Sequence, residues 1–531
     1  MSHIGIVICD CGKTLLTQED VGRIASEITF NGKSCEHFFH LNTLCTEEGV
    51  NSFAKTIREK ALERIVFAGC SPIQNQGLLE RIASQAGVTP SAIYGVNIKA
   101  QLLLHAPNKE QSLARVIRSI QKAVKALSEI PSFDTKKAPL HQDVLVIGGG
   151  LAGISTAQEL HRLGYLTTVV EQADQIGGQV KNAKDTPGAE RRDFSPDTLS
   201  GVEILTGSSL IALTGQIGAF AARIHTPNGE KIVQCGVLVV ASGTRMPAAK
   251  SNWSHIFLIT DIDLAIADLV KRKGVRSIGL ILDAEFDETK ASTEMALTLA
   301  KNIQHIKRYQ VYLFCRDVRV AARNLELLYD EVRDAGVNIV KYDGKLSLNE
   351  TEKGVVITYT DSILCQEITV YCDRVGVSPF GLAVSADTHL AELLGLSTDA
   401  YGQLQDNNIH LFSEQTNRPG IFVVGSCRGQ HYIPQIITEA KATALEVHAL
   451  LSQKFLEVEL SNAVVDPDKC VLCLTCVRSC PYKAMQVNRE KGAAESIPEV
   501  CQKCGICAGE CPAKAIELPV YSDRVILSQV E

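Results

Sequence analysis

"QDVLVIGGGLAGISTAQELHRLGYLTTVVEQ", Gln142 to Gln172, decides the fold of the middle of this chain. Asp143 to Ile147 reads as a buried apolar strand. Gly148, Gly150 and Gly153 then form Gly-x-Gly-x-x-Gly, a helix runs on to about Leu163, and a second strand ends at Glu171. The glycines permit a tight turn, close approach of backbone to a pyrophosphate, and helix–strand packing, while the helix N-terminus faces the phosphates. Glu171 stands at the distance expected of the acid that accepts from ribose hydroxyls. Three spaced glycines alone are a weak signal, and an empty Rossmann turn is the bland alternative. Strand, helix and terminal acid together favour dinucleotide binding.

Outward from this segment, 531 residues exceed one core. Chain length predicts about three or four domains of roughly 100–200 residues. We expect an α/β protein with an N-terminal domain over 1–138, a dinucleotide-binding core over 139–455, and a cysteine-rich domain over 456–531. The formal net charge of -7 and a pI near 6.1 give no basic balance for nucleic acid. "MSHIGIVICDCGK" reads as a first strand rather than an export signal, and no apolar run has the length of a membrane span. The expected location is cytoplasmic.

Of 18 cysteines, eight lie in "CVLCLTCVRSCP" (Cys470–Pro481) and "CQKCGICAGECP" (Cys501–Pro512). Clustered Cys-x-x-Cys spacing without an export signal favours metal over disulfides. Each motif supplies three close thiolates to one [4Fe-4S] centre, and the cysteine before proline crosses to the other. One centre is then Cys470, Cys473, Cys476 and Cys511; the second is Cys501, Cys504, Cys507 and Cys480. Zinc would take two pairs of cysteines, not eight in this crossed pattern. About 465–520 resembles the bacterial two-cluster ferredoxins.

Residues 1–105 alternate strand and helix: "IGIVICDCG", "EDVGRIASEI", "HFFHLNTLC", "VNSFAKTIREKAL", "RIVFAGCSP". This βαβ pattern predicts a mainly parallel, Rossmann-like sheet whose carboxyl ends share one edge. Cys9, Cys11, Cys45 and Cys70 sit at three strand ends, so we expect them to converge as a third [4Fe-4S] site, against the alternative that Cys9 and Cys70 are strand filler. Cys35 reads as structural, and His37, His40 and His105 as satisfied histidines.

"VLVVASGTRMP" (Val237–Pro247) and "RPGIFVVGSCRGQHYIPQIITEAKATA" (Arg418–Ala444) resemble the returning segments of two-dinucleotide flavoproteins of the thioredoxin reductase type, as does "IGGQV" (Ile176–Val180). That resemblance implies FAD, with Gly177, Gly178, Gln179, Gly243, Gly425 and Ser426 joining Gly148, Gly150, Gly153 and Glu171 as its contacts. Gly425-Ser426 replaces the Gly-Asp of many relatives. A nested NAD-domain-like insertion is expected over about 252–350. Its loop lacks glycines and offers Asp283, Glu285, Asp287 and Glu288, like charges that disfavour a pyrophosphate. No Cys-x-x-Cys occurs between 140 and 455. Cys235, Cys315, Cys365, Cys372 and Cys427 read as small apolar residues, with Cys427 notable for following the flavin turn.

The module order, with "CDCG" at Cys9, "CT" at Cys45, "GCSP" at Gly69, "NIKAQ" at Asn97, "IGGGLAG" at Ile147 and the closing "YSDRVILSQVE", resembles the A subunit of heterodisulfide reductase. The resemblance implies an oxidoreductase subunit that passes electrons between FAD and [4Fe-4S] clusters to partners of the B and C types or to other redox subunits, ferredoxin included, within a homo- or hetero-oligomer. Many members insert a further ferredoxin domain that is missing here, which bears on flavin-based bifurcation. The layout also resembles the B subunit of the quinone-interacting membrane-bound oxidoreductase. Alternatives are a self-contained NAD(P)H-dependent oxidoreductase and a scaffold that keeps its cofactors for structure. No residue stands out as a substrate acid, base or nucleophile.

Overall fold

The computed structural model describes residues 4–30, 33–35, 37–104, 109–179, 199–244, 253–259, 262–272, 274–283, 289–306, 309–378, 388–400, 402–408, 414–429 and 431–530. They fall into two compact units, Met1–Ala138 with Phe455–Glu531, and Pro139–Lys454.

In the first unit the strand Ile4–Cys9 is buried along its whole length. It lies inside a four-stranded parallel sheet ordered His37–Leu41, Ile4–Cys9, Arg64–Gly69, Ile93–Asn97. Continuous apolar sequence is what a strand covered on both faces requires. The helix Gln18–Glu27 begins at a capping box of Thr17 and Asp20. The helix Lys109–Glu129 buries Val116, Ile120 and Val124 in the sheet's core.

The chain's end completes that core. Val520 and Val525 are 8% and 1% exposed and belong to the same apolar cluster as Ile6, Ile8 and Val116. Arg524 pairs with Glu129, and the Tyr94 hydroxyl meets Gln529 at 3.5 Å. The strands Thr135–Pro139 and Phe455–Glu459 pair as a two-stranded ribbon. The cysteine-rich module, expected as a domain of its own, is thus packed into one body with the N-terminal module.

The second unit carries a five-stranded parallel sheet ordered Glu203–Leu205, Thr167–Val170, Val144–Ile147, Val237–Val240, Ile421–Val423. The chain leaves Val144–Ile147 to one side and returns on the other, so the carboxyl end of that strand is a topological switch point. An antiparallel three-stranded sheet covers 209–235. The inserted module is longer than its expected 252–350. The strand Arg374–Val377 pairs in parallel with both Ile256–Leu258 and Ser277–Ile281, so one seven-stranded sheet runs on to Val377. Among the described residues no helix is long and apolar enough to cross a membrane.

Val525→Asp is expected to destabilise the first unit by about 3 kcal/mol or more, because it buries a carboxylate without a partner. Urea unfolding should show the loss, and hydrogen exchange should rise in Lys109–Glu129.

Candidate functional site

The three-glycine turn is built by sterics. At Gly148, whose φ is +110°, an added Cβ would lie 2.2 Å from the Ala241 carbonyl oxygen. At Gly153 it would lie 1.9 Å from the Gly148 carbonyl oxygen, so helix Leu151–Arg162 can touch the strand only through glycine. At Gly150 a Cβ would meet nothing within 4 Å. That open ground lies at the helix start, where Gly150 caps without a side-chain hydrogen bond. It is the approach a pyrophosphate needs.

The remaining expected contacts gather around this turn. The Glu171 carboxylate accepts from the N–H of Gly149 at 2.6 Å and of Ala173 at 2.8 Å. The Gly177 N–H donates to Gly149 O at 2.7 Å, and Gly178 sits over Gly150, its added Cβ 3.1 Å from the Gly150 Cα. Gln179 Nε2 donates to Thr244 O at 3.0 Å, fastening this loop to the returning segment. Gly243, at φ +72°, faces the Ser426 hydroxyl, and Gly425, at φ +82°, abuts Ala152. Thr244 Oγ1 is buried with no hydrogen-bond partner among the described residues. Open space at Gly150 and an unused hydroxyl at Thr244 fit a bound dinucleotide. Val180 and residues 245–247 lie outside the described residues.

Several polar residues at this edge carry no sequence signature. Glu439 Oε2 accepts from the Gly425 N–H at 3.4 Å and stands 3.7 Å from Arg428 Nη1, while Arg428 Nη2 meets Asp406 at 2.6 Å. Glu439 is thus the polar partner of the turn that lacks the usual Asp. Burial raises the Glu439 and Asp406 carboxyls above the ordinary range although Arg428 opposes it. Burial holds His431 down at about 4 and pushes Glu294 up to about 7, and the Glu294 charge acts on the Tyr432 hydroxyl. A spacing rule could not find these residues, because each depends on what packs over it.

Two sequence expectations change. Asp283 is not a solvated repelling charge. It is 2% exposed, accepts from the Arg316 N–H at 2.9 Å and Nε at 3.1 Å, and accepts from the Tyr342 hydroxyl at 2.7 Å. Glu285, Asp287 and Glu288 lie outside the described residues. Cys365 is not apolar filler either: it is exposed at a hairpin turn with φ +52°. Cys427 is fully buried, pushed up to about 11 by burial, and its thiol donates to Val424 O at 3.3 Å. It is a structural thiol. Cys235 and Cys372 are likewise buried and pushed up to about 12.

In the first unit Cys9 ends its strand, with Cys11 two residues on. Cys70 directly follows Arg64–Gly69. Cys45 lies past the end of its strand, which stops at Leu41, in the turn before helix Glu47–Glu59. The Cys70 thiol is raised first by burial and then by the charges of Cys9, Cys11 and Cys45. Cys11, Gly12 and Lys13 are consecutively left-handed, at φ +55°, +76° and +67°. Such backbone costs energy in non-glycine residues and marks a loop shaped for a purpose. His40 Nε2 meets the buried Asp10 carboxylate at 2.8 Å, and His37 stacks on Phe39. Cys35 packs on the core. His105 lies outside the described residues.

The two C-terminal motifs are backbone copies. Leu472 and Lys503, Leu474 and Gly505, and Lys483 and Lys514 are matched left-handed positions. Cys480 Sγ accepts from the Ala484 N–H and Cys511 Sγ from the Ala515 N–H, both at 3.3 Å. Cys470, Cys473, Cys476 and Cys511 line one cavity. The Cys507 thiol is pushed up to about 11, first by burial and then by Cys501, Cys480 and Cys504. Each crossed set is therefore a spatial neighbourhood of soft donors suited to an iron–sulfur cubane. Among the described residues no three His, Cys, Asp or Glu converge tightly enough for a single metal ion.

Gly150→Ala should fold normally yet purify without flavin, whereas Gly153→Ala should lose folded yield as well. Flavin absorbance per chain and circular dichroism separate the two. His431, its proton affinity depressed on folding, contributes stability that is complete above the ordinary histidine range. That contribution is lost as pH falls from about 6.5 towards about 4, by at most about 3 kcal/mol. Thermal unfolding of the wild type against His431→Asn should converge or cross on acidification.

Two family descriptions match: an NAD(P)-binding Rossmann-like domain over residues 146–206 and a 4Fe-4S dicluster domain over 462–514. Among curated proteins the chain is 24% identical to an iron-sulfur A subunit of the CoB--CoM heterodisulfide reductase of Methanopyrus kandleri, covering 100% of this chain and 97% of that one. That alignment spans 654 positions against 531 residues here, so the relative carries segments without counterpart in this chain. The chain is also 23% identical to the corresponding iron-sulfur A subunit of Methanocaldococcus jannaschii, covering 92% of each. Among solved structures, the thioredoxin reductase of T. acidophilum aligns with 58% of this chain and 97% of its own, at 15% identity and a TM-score of 0.41. From end to end, the chain is similar to the A subunit of heterodisulfide reductase.

Proposed function

We propose that this chain is an electron-transferring iron–sulfur flavoprotein subunit of a heterodisulfide reductase-like complex. The observation that carries it is the pair of crossed cysteine sets in a chain that also holds an open dinucleotide cradle. A flavin bound at the cradle supplies exchange between two-electron and one-electron carriers, and clusters at the cysteines carry single electrons.

The chain's residues do the holding and tuning. The N–H groups after Gly150 receive the pyrophosphate, and Glu171 receives ribose hydroxyls. The N–H donors of Ala484 and Ala515 stabilise negative charge on Cys480 and Cys511 sulfur. Cys9, Cys11, Cys45 and Cys70 hold a third cluster. Chemistry on a sulfur substrate belongs to partner subunits of the B and C types. Among the described residues no nucleophile stands at the cradle with a base to activate it, and the thiol that follows the Gly425-Ser426 turn, Cys427, is sealed in the core.

Anoxic purification of the native complex tests this reading. Flavin near one per chain and about twelve irons are expected with the N-terminal centre, about eight without it. Cys70→Ser should remove about four irons and spare the rest. Partners should co-purify, and NADH or NADPH alone should leave the flavin oxidised. Full reduction by either nucleotide would establish the self-contained oxidoreductase instead.

A further inference from the structure

The two C-terminal motifs share a backbone but differ in charge at three matched places, Leu472 against Lys503, Arg478 against Gly509 and Ser479 against Glu510, and only at the first is the charge tied to the N-terminal module. Leu472 and Lys503 each precede the second cysteine of their motif, with φ of +53° and +54°. Leu472 is 40% exposed. The Lys503 ammonium reaches Glu459 Oε2 at 3.2 Å, and the Glu459 side chain is only 3% exposed.

Glu459 ends the ribbon strand that joins the two ends of the chain. Its carboxylate also accepts from the Ser91 N–H at 3.2 Å and the Ser91 hydroxyl, both from the N-terminal module, and from the Ser461 hydroxyl at 2.9 Å. Burial raises its proton affinity, but these donors and Lys503 outweigh burial and leave it below the ordinary range. On the other side of Cys501, the nearly buried Glu499 pairs with Lys136 of the ribbon at 3.1 Å. The first motif has a local pair instead, Lys469 with Asp466, both on the surface. Segment 499–503 is therefore fastened to the N-terminal module on both sides of its first cysteine.

We propose that Glu459 and Lys503 make the two ferredoxin centres inequivalent, tuning the centre of Cys501, Cys504, Cys507 and Cys480 without acting on the other. This rests on reading the motifs as [4Fe-4S] centres. Glu459 is a positioning residue: it holds and compensates the ammonium of Lys503, the residue that directly precedes Cys504. A cluster gains negative charge on reduction, so a nearby uncompensated cation raises its potential and an anion lowers it. Removing either partner leaves the other's charge exposed to the cluster.

The test is an EPR-monitored redox titration of the full chain, with iron content measured on each sample. Glu459→Gln should raise one midpoint, and Lys503→Met should lower the same one, with the other unmoved and iron unchanged. Leu472→Lys should raise the second midpoint alone, which assigns the centres. If Glu459→Gln loses iron, Lys503→Met decides, since it opens the same pair from its exposed side. Midpoints that move together, or that stay fixed in iron-replete Lys503→Met, overturn the proposal. A wild-type chain without two reducible centres overturns the cluster reading, and the proposal with it.

Discussion

The second unit depends on one forbidden distance. A side chain at Gly153 would put carbon 1.9 Å from the Gly148 carbonyl oxygen, so the helix after the first strand can begin there only because Gly153 has no side chain. That contact aims the helix N-terminus at the sheet edge. It also sets Gly149 against Glu171, whose carboxylate is pinned by two backbone N–H groups. The loop at Gly177–Gln179 and the returning segments at Gly243 and Gly425 close around the same spot. A helix dipole, free N–H groups and an oriented acid are together what a dinucleotide requires.

The first unit solves a different problem, which is how to concentrate thiolates without tearing a small fold apart. A parallel sheet brings Cys9 and the residue after Gly69, Cys70, to the ends of neighbouring strands although they are far apart in the chain. The strain sits in the loop after Cys9. The fully buried carboxylate there, Asp10, is met by His40 and by the Lys13 N–H at 3.0 Å. The C-terminal module in turn lends Val520 and Val525 to the N-terminal core.

What can be read from sequence is what is local. Glycine spacing and Cys-x-x-Cys spacing fix geometry within a dozen residues, so the three-glycine turn and the repeated cysteine motif are legible there. The expectation that Cys70 meets Cys9 and Cys45 goes one step further, on the rule that parallel strands share a carboxyl edge. Features made by distant packing are not legible. Val525 looks like any apolar residue until it is seen in a core assembled from residues 4–130. Glu439, Glu459 and Asp283 are unremarkable acids whose roles are set by Gly425, Ser91 and Arg316, far away in sequence. The expected boundary of the inserted module at 350 falls short because its last strand returns only at Arg374, after a hairpin that reads as a separate all-β segment.

The inserted module also contrasts two helix starts, one left open by glycine and one closed by its own side chains. Helix Leu151–Arg162 begins at Gly150, whose missing side chain leaves the first N–H groups to an incoming phosphate. Helix Lys290–His305 begins at Thr289, and a capping box closes it: Thr289 Oγ1 accepts from the Ser292 N–H at 3.1 Å, and Ser292 Oγ accepts from the Thr289 N–H at 2.7 Å. Two of the N–H groups at this helix start, those of Thr289 and Ser292, are therefore already taken by side chains. Asp283, at the end of the preceding strand, is spent as well, on Arg316 and Tyr342. Its charge therefore does not repel a nucleotide; it locks the strand end into the module. The start of helix Lys290–His305 is thus closed by its own side chains, where the start of Leu151–Arg162 is open at Gly150.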